Sequence, residues 1–151
     1  ESAQNAWGTD IPYLKSVKSD WEIIEQGFID TKEFTADELS ARLTVNYKDI
    51  KLGDNKSEWV KIIEKSEAGT VMSVQVGDKT IKGSDLKDIL SLRSCFYDVS
   101  FKDDKFIFET KGVGHGVGFS QYGANAMAKK GDTYDKLITY YYTGVKIEDI
   151  K

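Results

Sequence analysis

The sequence predicts an α+β fold: a mainly antiparallel sheet with three or four short helices packed against it. Three observations carry that expectation. Residues 70–76 alternate in polarity, turn at Gly77-Asp78 and return through 79–82, the pattern of an antiparallel hairpin. Residues 96–100 and 105–111 repeat the arrangement around Asp103-Asp104. Between the strand-like runs, stretches with helical spacing begin at capping residues, most clearly at Thr35-Ala36-Asp37-Glu38, a capping box.

Taken in order, the first twenty residues are polar and turn-rich, and the only proline, Pro12, favours an extended or turn conformation. Alternation over 12–17 predicts a half-buried strand with Tyr13 and Lys15 on one side and Leu14 and Ser16 on the other. Residues 21–34 alternate loosely and predict a strand or hairpin, with Gly27 as a bulge or turn. Thr35 then caps a helix over about 36–45 that turns Leu39 and Leu43 inward. The polar loop 51–57 turns at Gly53-Asp54-Asn55, and 59–65 reads as a strand ending before Glu67-Ala68-Gly69. Ser84 is the expected cap of a helix that buries Leu86, Ile89 and Leu90. Residues 119–130 are helix material with Ser120 as N-cap, and Phe119, Tyr122, Ala126, Met127 and Lys130 share one stripe. After Gly131-Asp132, Thr133 caps a last helix over 134–142 that buries Leu137, Ile138 and Tyr141 and stops before Gly144. The tail 145–150 reads as an edge strand.

At 151 residues the chain is one domain's worth of sequence, expected to form a single domain with a sizeable core. A 40% hydrophobic, 30% charged composition is that of a soluble globular protein. The net charge of −4, with both signs mixed along the chain, favours neither nucleic acid nor an anionic membrane surface. No apolar run approaches the roughly 18 residues of a membrane span, and no signal peptide is visible. The chain opens at Glu1 without an initiator Met, from which a processed product with its targeting segment upstream is expected. Cys95 is the only cysteine and His115 the only histidine, so neither an intrachain disulfide nor a Cys/His zinc site can form within the chain. Cys95 is expected to be a small buried hydrophobe, and no cofactor is expected within the chain.

The stretch 112–124 (GVGHGVGFSQYGA) organises the rest, holding five of the 13 glycines and the histidine. Gly112, Gly114, Gly116 and Gly118 alternate, so one face of an extended segment there carries no side chains. A phosphate-loop reading fails, because no Gly-Lys-Ser/Thr follows and no GxGxxG precedes a ribose-binding acid. His115, between two glycines, is displayed; it either bonds a backbone carbonyl or contacts a sugar or an acid. Ser120, Gln121 and Tyr122 offer neutral hydrogen-bonding groups suited to sugar hydroxyls and acetamido groups. Arg93 serves either a structural ion pair or a bound carboxylate, since both use the same guanidinium fork. Glu109, just before the glycines, is a strand-face charge and also the best internal candidate for a general acid.

GHGVGFSQYGA, followed by Tyr141-Tyr142-Thr143-Gly144, resembles the C-terminal signature of the SpoIID/LytB (stage II sporulation protein D) family of bacterial cell-wall lytic transglycosylases. Phe119 stands where the family usually has Met, and Thr143 where it has Pro. The runs QNAWG and PYLKSV (residues 4–8 and 12–17), and SLRSCF at 91–96, are further points of resemblance. The resemblance implies that Tyr13 and Lys15 are active-site residues and that Arg93, His115, Ser120, Gln121 and Tyr122 bind substrate. It also implies cleavage of the bond between N-acetylmuramic acid and N-acetylglucosamine, with a 1,6-anhydro product, during sporulation and engulfment. The general-acid glutamate is then expected upstream of this chain rather than at Glu1, Glu22, Glu25 or Glu109, and any zinc would also belong upstream. The implied partners are peptidoglycan glycan strands, the missing N-terminal segment, and a peptidoglycan amidase with a membrane protein of an engulfment complex. The implied location is extracytoplasmic, facing the wall, with an anchor upstream. Two other readings stay open: a non-catalytic glycan-binding module of the LytB type, and a partner-binding scaffold with a large exposed apolar patch.

Overall fold

A computed structural model describes residues 1–19, 22 and 25–150. In chain order the elements are α1 (Ala3–Trp7), β1 (Ile29–Thr35), α2 (Ala36–Asn46), β2 (Val60–Lys65), β3 (Val71–Val76), β4 (Lys79–Lys82), α3 (Gly83–Leu90), β5 (Tyr97–Lys102), β6 (Lys105–Lys111), α4 (Gln121–Lys129) and α5 (Tyr134–Tyr141). The α+β class holds, with two three-stranded antiparallel sheets among the described residues where one was expected and five α-helices where three or four were expected. The chain forms two compact units, Ile29–Gly114 and the pair of segments Glu1–Phe28 and His115–Lys151.

The Ile29–Gly114 unit contains both sheets. In one, β6 lies between β1 and β5; in the other, β3 lies between β2 and β4. Period-2 patterning sets the buried faces: Phe106, Phe108 and Thr110 of β6 point inward while Glu109 is exposed, and Val74 and Val76 of β3 are buried. A register shift between Ile62 and Glu64 interrupts the alternation of β2 and leaves Ile63 53% exposed. Thr35 and Glu38 form the expected capping box, and Leu39 and Leu43 of α2 are fully buried. Burying each such leucine is worth about 1.5–3 kcal/mol.

Helix α3 begins two residues earlier than a Ser84 cap would place it. Lys82, not Ser84, takes the N-cap position, and the helix starts at Gly83. The reason is a close approach: a Cβ on Gly83 would overlap the Val71 carbonyl, so only glycine lets α3 sit on β3. The Gly83 carbonyl in turn accepts a hydrogen bond from the buried Tyr97 hydroxyl at 3.2 Å. Burial pushes that phenol well above its ordinary pKa. Cys95 is half-buried rather than buried, and partial burial likewise pushes its thiol up.

In the other unit, α4 and α5 bury Ala124, Met127, Leu137 and Tyr141 against each other, with Val17 packed alongside. Three expectations fail here. Residues 12–17 form no strand; a turn at 12–13, closed by Leu14 N–H to Ile11 C=O at 2.9 Å, leads into irregular chain on which Tyr13, Lys15 and Ser16 are all exposed. The strand expected from residue 21 begins only at Ile29, after a turn at Gln26-Gly27; residues 21, 23 and 24 of that expected strand lie outside the described residues. The tail 145–150 is irregular, not an edge strand.

Candidate functional site

The Glu1–Phe28/His115–Lys151 unit contains all of the candidate residues except Arg93 and Glu109. Two long-range backbone bonds hold the PYLKSV segment. Ala3 of α1 donates its N–H to the Leu14 carbonyl at 3.0 Å, and Thr143, just past α5, donates to the Tyr13 carbonyl at 3.1 Å. A segment whose backbone groups are satisfied this way needs no neighbouring strand. Tyr13 is 46% exposed, and its ring meets Tyr142 edge-on at 6.3 Å. Tyr142 stacks on Phe119 at 6.4 Å, and Phe119 tilts onto Tyr141 at 5.2 Å. Phe119 is thus one ring in a continuous aromatic row. Lys15 is exposed and its ammonium bonds the Asp10 carboxylate, an exposed pair of small energetic weight.

The glycine stretch is not an extended ribbon. Gly112, Gly114, Gly116 and Gly118 all have φ between 68° and 86°, so each takes the left-handed conformation that side chains disfavour, and the chain coils as a loop. His115 stands exposed on that loop. Its Nδ1 accepts the Val117 N–H at 2.9 Å, rather than the ring donating to a backbone carbonyl. An Nδ1 that accepts carries no proton, so the neutral ring holds its proton on Nε2, free to donate outward.

Ser120 is the N-cap of α4 as expected, its Oγ accepting the Gly123 N–H at 3.1 Å. Gln121 is exposed on the first helical residue. The Tyr122 hydroxyl donates to the Gly27 carbonyl at 3.1 Å while its ring packs edge-on against Phe28 at 5.5 Å, which ties α4 to the turn at Gly27. Glu25 reinforces that tie: its carboxylate accepts from Asn125 Nδ2 at 2.6 Å and Lys129 Nζ at 2.7 Å, residues one turn apart on α4. The Lys129 hydrogen bond foremost holds the Glu25 carboxyl below its ordinary range.

Arg93 belongs to the Ile29–Gly114 unit, where its carbonyl accepts the Gly114 N–H at 2.8 Å beside the Ser94–Gly114 bridge. Glu109 is an exposed residue of β6, directly across from Asp98 on β5 and Thr31 on β1, the setting of a strand-face charge. Among the described residues no group of three or more His, Cys, Asp or Glu side chains is arranged to hold a metal ion. No helix among them is long and apolar enough to cross a membrane.

Sequence reasoning missed two features. One is Trp7, 50% exposed, whose ring meets His115 edge-on at 5.0 Å. Its signal was the Trp7-Gly8 pair, because Gly8 at φ 74° closes α1 and leaves the indole at the helix end. The other is a chain of hydroxyls and a carboxylate: Ser19 Oγ bonds Glu22 Oε1 at 2.5 Å and the buried Tyr141 hydroxyl at 2.9 Å. Nothing local in the sequence marks it.

No family model matches the chain. It is 40% identical over 149 residues to the stage II sporulation protein D of Bacillus subtilis (strain 168), and 34% identical over 149 residues to that of Bacillus amyloliquefaciens. Both matches cover 99% of this chain and 42% of the relative, so the chain spans less than half the length of these relatives. The amidase enhancer of Bacillus subtilis is 30% identical over 148 residues, 95% of this chain and 20% of that protein.

Proposed function

We propose that this chain, a member of the stage II sporulation protein D family along 99% of its length, contributes the glycan-binding surface of a lytic transglycosylase acting on peptidoglycan. The names of its relatives, a sporulation protein and an amidase enhancer, support a sporulation-related role at the cell wall. The observation that carries the finer reading is the Thr143 N–H to Tyr13 C=O bond. It joins the PYLKSV and YYTG motifs, 130 positions apart, in one unit that also presents His115 and Gln121 outward.

In the proposed reaction a carboxylic acid protonates the oxygen that leaves with N-acetylglucosamine as the C1–O bond of the muramic residue breaks. The resulting carboxylate takes the proton of the muramic C6 hydroxyl, whose oxygen bonds C1 and closes the anhydro ring. One group serving as acid and then base needs a raised pKa, obtained by burial. Glu109 is exposed and Glu25 is paired with Lys129, so neither has that environment. We assign the acid to a part of the protein outside these residues. The Lys15 ammonium and Tyr13 hydroxyl would stabilise charge beside it, and the His115 Nε2–H would orient a sugar. The protein would then work outside the cytoplasm, facing the wall.

The test is mass spectrometry of glycan strands treated with the full-length protein. Anhydro-ended products, diminished at least about tenfold by Lys15→Ala, are expected. Products ending in a reducing sugar would mean hydrolysis and overturn the reading. The amidase-enhancer relative favours a second reading, a glycan-binding module without chemistry; strand binding with no cleavage by the full-length protein would decide for it.

A further inference from the structure

We propose that Trp7 and His115 together form a subsite for one N-acetylated hexopyranose ring of a glycan strand, with the indole as the stacking face and His115 Nε2–H as the hydrogen-bond donor. This rests on the glycan reading above, which already uses His115, and adds Trp7 as the residue that reading did not require.

The indole is half exposed, yet it is held in place. Helix α1 ends at Trp7, and Gly8, in the left-handed conformation with its N–H on the Gln4 carbonyl at 2.9 Å, fixes the chain at that end. The Ser2 side chain caps the other end by accepting the Asn5 N–H at 3.2 Å. The imidazole meets the indole at 5.0 Å and 60°, an edge-type contact in which one ring braces the other while half of the Trp7 surface stays open. His115 is itself fixed by the Val117 N–H on Nδ1. Both rings are therefore pre-organised, and little side-chain freedom is lost when a ligand arrives.

The chemistry selects the ligand. A pyranose presents axial C–H groups on one face and polar groups around its edge. A flat indole suits the face, and a neutral N–H donor beside it suits a hydroxyl or acetamido oxygen at the edge. The Glu1 carboxylate is buried and accepts the Ser2 N–H at 2.7 Å and an Asn5 Nδ2 hydrogen at 3.0 Å, and the Asp10 carboxylate, the nearest acidic group to Trp7 in sequence, is paired with the Lys15 ammonium. A neutral N-acetylhexosamine fits these groups better than an anionic ligand does.

The experiment titrates the chain with β-1,4-linked N-acetylglucosamine oligomers, followed by calorimetry, for the wild type, Trp7→Ala, Trp7→Leu and Trp7→Phe. Leucine keeps an apolar side chain against His115 but has no flat face, so it carries the test if the alanine variant fails to fold. The wild type is expected to bind, alanine and leucine to weaken binding at least about tenfold, and phenylalanine to retain most of the affinity. Equal affinity for Trp7→Leu and the wild type would overturn the subsite and leave the glycan reading standing. No binding by the wild type at millimolar oligomer would overturn both.

Discussion

Gly123 lies against Tyr141 so closely that a Cβ on it would overlap the tyrosine hydroxyl and Ser19 Oγ, and would come within 2.6 Å of Glu22 Oε1. The third residue of α4 is glycine because Tyr141 of α5, Ser19 and Glu22 meet there through hydrogen-bonded polar groups. Tyr141 is 1% exposed, so its ring cannot swing aside into solvent.

Gly123→Ala is therefore expected to destabilise the chain by about 2 kcal/mol, the range of overpacked sites, even though alanine is the better helix former. The denaturant midpoint measures it. In the Tyr141→Phe background, which removes the overlapped hydroxyl, the same substitution should cost less. A double-mutant cycle should show a coupling above about 0.5 kcal/mol; additive effects would mean that the overlap is not with that oxygen.

Thr110 Oγ1, on the inward face of β6, is a buried side-chain oxygen with no hydrogen-bond partner among the described residues, and the residue is 1% exposed. Valine has nearly the same shape and no unsatisfied group. Thr110→Val should be neutral or stabilise by about 1 kcal/mol in thermal or chemical unfolding. A loss of stability would mean that the hydroxyl has a partner such as bound water.

Local chemistry made the capped helices and hairpins legible. The Thr35–Glu38 box, Ser120 at its cap and the Gly77-Asp78 turn all depend on residues within four positions of each other. What the sequence concealed depends on distant partners. Residues 12–17 alternate like a strand, but the Leu14 and Tyr13 carbonyls are taken by Ala3 and Thr143, and no periodicity encodes that. Alternating glycines suggest a flat ribbon, yet four left-handed φ values in seven residues make a loop. Most of the candidate residues were legible through motif resemblance, whereas Trp7 was hidden in a five-residue helix too short to carry a pattern.

Glu25 ties the turn before Gly27 to α4, and its carboxyl is held below the ordinary range mainly by the Lys129 hydrogen bond. A depressed folded-state pKa contributes stability above the unfolded-state value and loses it as pH falls through the folded-state value. The thermal midpoint of the wild type should exceed that of Glu25→Gln at neutral pH, and the two should converge on acidification below the ordinary carboxylate range. A gap unchanged in acid would mean that Glu25 acts by packing and not by charge.

The Val117 N–H on His115 Nδ1 sets the tautomer that the proposed sugar contact needs. Long-range nitrogen–proton correlation spectra of the neutral ring should show one pyridine-like nitrogen, Nδ1, and one protonated nitrogen, Nε2. Adding N-acetylglucosamine oligomers should shift the Nε2 proton and leave Nδ1 in place, because the outward nitrogen alone meets the ligand. The reverse tautomer would turn the displayed nitrogen into an acceptor, and His115 could then bind a sugar only by receiving a hydroxyl proton.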